Sequence, residues 1–128
     1  MPKPSDWQEA IRAAGFPVEI DTGFDVDTFT GFLPCKLDNQ ISGFEYSASP
    51  LDPEEARELE APAGADFSVT FVTHANLREL AASLAAASVL CQVSGGLLVD
   101  QQSGESYSGG DAVTWAKAEL EQLRRNLK

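Results

Sequence analysis

The chain has 128 residues, 43% of them hydrophobic, which is enough to bury the core of one domain. Its formal net charge of −11 repels nucleic acid and anionic lipid, so neither is an expected partner, whereas a basic protein would be drawn in faster. The opening MPKPSDWQEA has no apolar run of the kind a secretory leader needs, and a cytoplasmic protein is expected.

In chain order, Ser5 and Gln8 make a capping box for a short helix, DWQEAIRAA, which Gly15 ends. Trp7, Ile11 and Ala14 recur at helical spacing and should face the core. VEI follows as a short extended piece, and then IDTGFDVDTFTGF, residues 20 to 32, sets Asp21, Asp25 and Asp27 among Phe24, Phe29 and Phe32. The runs FTGFLPCKL and ISGFEYSAS flank Asp38-Asn39 and predict an antiparallel hairpin. Pro34 has no N–H for a ladder, which places its strand at an edge or at a bulge.

Asp52-Pro53-Glu54-Glu55 reads as a helix start, with an N-cap, a proline at the first helical position and acids in the first turn. The helix PEEARELE has little apolar face and should stand exposed, followed by a loop at 61–66 that is too short to divide the chain. FSVTFVTH alternates Phe67, Val69 and Phe71 on one face, as a half-buried strand does. Asn76 and Glu79 suggest a second capping box, for LRELAASLAAASVLCQV, with Leu77, Leu80, Ala81, Leu84 and Ser88 as one stripe. The uncharged run from Leu80 to Val99 approaches a membrane span in length. Its serines, glycines and Gln92 favour a buried helix running into a strand instead. Gly95-Gly96 stops that helix, and LLVDQQSGESYS reads as a strand, a Ser-Gly turn and a return strand. Asp111 should cap the last helix, whose seam is Val113, Ala116, Leu120, Leu123 and Leu127, with Arg124, Arg125 and Lys128 at its C-terminal end. Hairpin strands with helices between them indicate an α+β fold, a mostly antiparallel sheet with helices packed on one face of a single domain, residues 1–128.

The residues exclude several chemistries. An EF-hand reading from Asp25 fails at Phe29, Thr30 and Lys36, where ligands, glycine and glutamate belong. Cys35, Cys91 and His74 are too few and too scattered for structural zinc. The two cysteines are expected as free, buried thiols and His74 as a structural residue. SGESYSGG lacks the G-x-S-x-G pattern of a nucleophile elbow, and there is no phosphate-binding or dinucleotide fingerprint. No enzyme activity, cofactor or metal is therefore expected.

What stands out is the placement of charge. From Glu19 to Asp66 there are twelve acids against Lys36 and Arg57, a net −10, while the remainder is nearly neutral. Phe24, Phe29, Phe32, Phe44 and Tyr46 are interleaved with Asp21, Asp25, Asp27, Asp38 and Glu45. Either all five rings are core and the acids a solvated rim, or some rings stay exposed as anchors beside carboxylates that complement Lys and Arg. The expected contact residues are Asp21, Asp25, Asp27, Phe29, Asp38 and Glu45, with Glu54 and Glu55 of the acidic helix as a second acidic segment.

Three stretches carry a resemblance over roughly residues 7 to 105: F-x-G-F-L-P-C at Phe29 to Cys35, G-F-E-Y at Gly43 to Tyr46, and an alanine-rich helix leading into G-G-L-L-V-D at Gly95 to Asp100. With them the chain resembles small acidic bacterial immunity-like proteins of interbacterial toxin systems. The resemblance implies binding and neutralisation of a cognate toxin and no catalytic residues. A secretion chaperone that cradles an effector segment is the alternative, and a small enzyme comes third. The oligomeric state and the identity of the partner are left open.

Overall fold

The computed structural model describes residues 3–26, 28–58, 60–61, 67–73, 77–100 and 104–126. Its elements are α1 (Pro4–Ala13), β1 (Val18–Ile20), β2 (Thr30–Leu37), β3 (Gln40–Pro50), α2 (Pro53–Glu58), β4 (Phe67–Val72), α3 (Leu77–Ser94), β5 (Leu97–Val99), β6 (Ser106–Ser108) and α4 (Gly110–Asn126). Strands β1 to β4 form one antiparallel sheet in sequential order, and β5 and β6 form a separate two-stranded ribbon. Helices pack on the sheet, so the α+β fold expected from the sequence is the fold observed.

The hairpin of β2 and β3 is set by its turn. Asp38 and Asn39 both adopt positive φ, 51° and 65°, the left-handed pair that matches strand twist and that Asp and Asn tolerate best among side-chain-bearing residues. Register then follows from Leu37 opposite Gln40 down to Thr30 opposite Ser47. Leu33, Cys35 and Leu37 of β2 and Phe44 and Tyr46 of β3 are buried, while Phe32, Pro34, Lys36, Ile41 and Glu45 are exposed. The period-2 alternation thus sorts the residues between a core face and an outer face.

Pro34 lies in β2, an inner strand and not an edge. Its backbone faces β1 where that strand ends: the Asp21 N–H donates to the Pro34 carbonyl (3.1 Å), and only the reciprocal bond is missing. A proline costs one ladder bond there, at the margin of a three-residue strand.

On the core face, α3 lies against β3, β2, α1 and α4. Its most buried positions are Ala81, Ala82, Ala85, Ala86, Ser88 and Val89, whereas Leu77 is exposed and Leu80 and Leu84 are half-buried. Of the stripe expected from the sequence, Ala81 and Ser88 are buried and Leu84 packs partly buried on the core, while Leu77 and Leu80 give way to Ala82, Ala85, Ala86 and Val89. A helix enclosed on several sides puts its smallest residues where backbones approach most closely. Its two buried hydroxyls stay satisfied within the helix, Ser83 Oγ donating to Leu80 and Ser88 Oγ to Ala85 (2.9 and 3.0 Å).

Helix α1 begins one residue before Ser5, with Pro4 in its first turn and Lys3 at the N-cap without a side-chain bond. The capping box does not form because Gln8 is buried and used elsewhere. Its Nε2 donates to the Val18 carbonyl (3.1 Å) and its Oε1 accepts from the Ile20 N–H (2.5 Å), so one side chain occupies the free edge of β1 as a neighbouring strand would. Trp7 and Ile11 are fully buried as expected, and Gly15 takes a φ of 88° where the helix stops. At α2 the Asp52 carboxylate accepts from the Glu54 N–H (3.1 Å), the cap foreseen there. Asp111 is instead inside the first turn of α4, which starts at Gly110. Val113, Ala116 and Leu120 are buried and Leu123 partly so. The Asn76 cap, Leu127, Lys128, the 62–66 part of the loop, His74 and Asp27 lie outside the described residues, as does the side chain of Arg124.

Gly43 shows how tightly the hairpin is built. A Cβ there would lie 2.3 Å from the Phe32 ring and 2.8 Å from the Leu33 carbonyl oxygen, because Phe32 folds over the glycine and covers it. Replacing Gly43→Ala should destabilise the protein by about 1–3 kcal/mol. Adding Phe32→Ala should not fully rescue it, since the Leu33 carbonyl is backbone. Urea denaturation of the single and double variants measures both.

A candidate protein-binding face on the open side of the sheet

The aromatic residues of the acidic half separate into two sets. Phe44 and Tyr46 are fully buried, and Phe24 and Phe29 pack partly buried against the same core. The ring centroids of Phe24 lie 5.3 Å from Phe29, 5.5 Å from Tyr46 and 6.1 Å from Trp7. Phe29, chosen from the sequence as a contact residue, thus has its ring in the aromatic cluster. Its place in a polar, acidic turn hid this, although Phe29 precedes β2 by one residue in phase with the buried Leu33, Cys35 and Leu37, and its carbonyl accepts from the Ala48 N–H (3.1 Å).

The acidic segment before β2 is therefore anchored from below. Val26 is buried, and its carbonyl accepts a hydrogen bond from the Tyr46 hydroxyl. The Asp25 carbonyl accepts from the N–H groups of Thr28 (3.4 Å) and Phe29 (3.0 Å), and Asp21 Oδ1 accepts from the Gly23 N–H (3.3 Å), an Asx turn. Asp21 and Asp25 themselves are exposed. Among the described residues, no three His, Cys, Asp or Glu side chains converge on a point that would hold a metal ion.

The outer face of the sheet carries the other set. Phe32 is 56% exposed, Ile41 84% and Val72 44%, with Pro34 exposed beside them. Glu45 stands in the same cross-strand row, directly opposite Phe32 on β2 and Val72 on β4. Glu19 and Lys36 face each other across β1 and β2, and Asp21 lies just beyond, bonded through its backbone to Pro34. Towards the start of β4 the face turns polar, where Ser49 Oγ and Ser68 Oγ are 3.2 Å apart. Among the described residues no element covers this face, since the buried hydrophobic residues of the strands point to the other side.

Of the expected contact residues, the structure brings Glu45 and Asp21 to this face or its margin. It puts Asp38 in the hairpin turn at one end. Asp25 lies in the anchored segment, and Glu54 and Glu55 are exposed on α2, which follows the opposite end of β3. Eleven residues separate those ends in β3, about 35 Å of strand. Ile41 and Val72 were missed by the sequence reading. Ile41 next to the turn, and Val72 out of phase with Val69 and Phe71, were the available signals.

The cysteines do not lie on this face. Cys35 and Cys91 are free and buried. Burial pushes the Cys35 thiol up to about 11, and the Glu79 carboxylate adds to the shift. Burial also raises Cys91, whose Sγ lies 3.2 Å from the Gly96 carbonyl. On the β5–β6 ribbon, the hydrogen bond that the Tyr107 hydroxyl donates to Glu105 (2.6 Å) raises Tyr107 to about 12. No protein-family model, curated protein or solved structure matches the chain.

Two outcomes follow for this region. Replacing Tyr46→Phe strands the buried Val26 carbonyl and should cost about 1–2 kcal/mol, with faster amide exchange between residues 21 and 29 read by NMR. For Cys35, the unfolded thiol ionises near 9.0 and the folded one near 11. Its contribution is whole below pH 9 and is lost as pH rises towards 11. Chemical denaturation of the native chain across that window should show the decline, and Cys35→Ala should flatten part of it.

Proposed function

We propose that this chain is an immunity-type inhibitor that binds and neutralises a basic toxin domain through the outer face of its sheet. Phe32, Ile41 and Val72 supply apolar anchors, and Glu19, Asp21 and Glu45 supply the charge opposite Lys and Arg of the partner. The observation that carries this reading is a sheet face left uncovered among the described residues, where exposed Phe32 and Val72 flank Glu45 and exposed Ile41 lies further along β3, most of it within the segment of net −10. Antiparallel sheets commonly turn one face to water, but that face is then polar. Apolar anchors within a charged rim are the composition of a recognition surface. A strongly negative field also speeds encounter with a cationic partner and discourages wrong ones. Asp25, Asp38, Glu54 and Glu55 act at longer range in this reading, steering the approach.

The test is co-expression with a toxin-like protein encoded beside this chain, scored by growth rescue and by measured affinity. Phe32→Ala and Glu45→Lys should each weaken binding by about 1–3 kcal/mol and abolish rescue in combination, with the chain still folded: Glu45→Lys leaves thermal stability nearly unchanged, and Phe32→Ala lowers it modestly by uncovering Gly43. Charge reversal at Asp25 should chiefly slow association and reduce its salt dependence. Full rescue and unchanged affinity in the Phe32→Ala, Glu45→Lys double variant would remove the outer face from the interface.

A further inference from the structure

The sheet has two edges, and they differ. At β1, the side-chain amide of Gln8 takes up the outward carbonyl of Val18 and the outward N–H of Ile20. At β4 the direction of the backbone can be followed through the ladder. The Ala48 N–H donates to Phe29, at the β2 side, so Glu45, Ser47 and Ser49, one residue out of phase, turn their backbones towards β4. Their partners there are Val72, Thr70 and Ser68. Val69 and Phe71 must then turn their N–H and C=O groups away from β3. Among the described residues no hydrogen bond reaches those groups. The strand FSVTFV contains none of the devices that blunt an edge: no charge, no proline and no bulge in its register.

We infer that β4 is a strand-addition site, where an extended basic segment of a partner protein pairs with Val69 and Phe71 and extends the sheet to five strands. The inference rests on the reading of this chain as a binder of a cationic protein, and it names the mode. Charge selects the occupant. A second copy would bring another −11 to an edge with acids near both ends. Glu45 stands opposite Val72 at one end, and the exposed carboxylates of α2 belong to the β3–β4 connection at the other. A segment alternating Lys or Arg with apolar residues would place its cations beside those acids and its apolar side chains beside Val72.

The experiment is amide hydrogen exchange by NMR on the full chain, alone and with a synthetic peptide alternating lysine and valine. Alone, the amides of Val69 and Phe71 should exchange at least tenfold faster than that of Thr70. The peptide should slow both by more than tenfold, and a peptide N-methylated at every backbone amide, which has neither edge free to pair, should not. Val69→Pro, which removes an outward N–H but no bond to β3, should abolish the effect. If that variant unfolds, the N-methylated peptide still decides. Four results would overturn the inference: slow exchange at both amides in the free chain, no slowing by the peptide, equal slowing by the N-methylated peptide, or slowing that follows chain concentration alone and so marks pairing between copies. Growth rescue is read independently, so failure at the edge and failure of the inhibitor reading are distinguishable.

Discussion

A tryptophan taken wholly out of water must still find an acceptor for its indole N–H, and here the Ala86 carbonyl in the middle of α3 provides it at 2.9 Å. The arrangement requires the backbone of α3 to come within reach of α1, which only small residues at the contact permit. The same ring lies 6.1–6.2 Å from Phe24, Tyr46 and Phe71. Trp7 thus joins α1, α3, the acidic segment, β3 and β4 in one packed unit. With these rings drawn inward, the strands must present their alternate side chains to the opposite side, and the candidate binding face is the complement of this core.

That complementarity explains which features were legible in the sequence. The hairpin could be read because Asp38-Asn39 is a local turn signal and the flanking runs alternate. Once β2 is placed, its alternation separates Leu33, Cys35 and Leu37 from Phe32, Pro34 and Lys36, a split that the sequence leaves open for Phe32. Phe29 could not be placed in this way. It sits one residue before the strand, in phase with Leu33, Cys35 and Leu37, but nothing local signals that the ladder runs back to it, and it packs on Phe24 and Tyr46. The interior of α3 was only partly legible: the stripe through Ala81 and Ser88 is buried, but a single stripe assumes one buried side, whereas this helix meets the sheet and two other helices. Gln8 was claimed by a local motif but is held by β1, ten and twelve residues away, a contact with no local signature.

Charge and packing are distributed by different rules in this molecule. Asp25 and Glu45 lie on segments whose apolar residues are fixed below them, Val26 and Phe29 beneath the Asp25 region and Leu33 and Phe44 behind Glu45, whereas the acidic α2 buries none. Core contacts there resist their mutual repulsion, and two ion pairs, Glu9 with Arg12 and Glu121 with Arg125, lie outside that segment. A negative field held on a rigid sheet needs little reorganisation when an opposite surface arrives, which lowers the entropic cost of association.

The amide of Gln8 at β1 has a consequence for assembly. Sheets grow into fibrils when every unit offers two compatible borders, each new arrival leaving a fresh one behind it. With one border closed by a side chain of the same molecule, growth through the other stops after a single step. This chain can accept a strand without becoming a template for endless stacking.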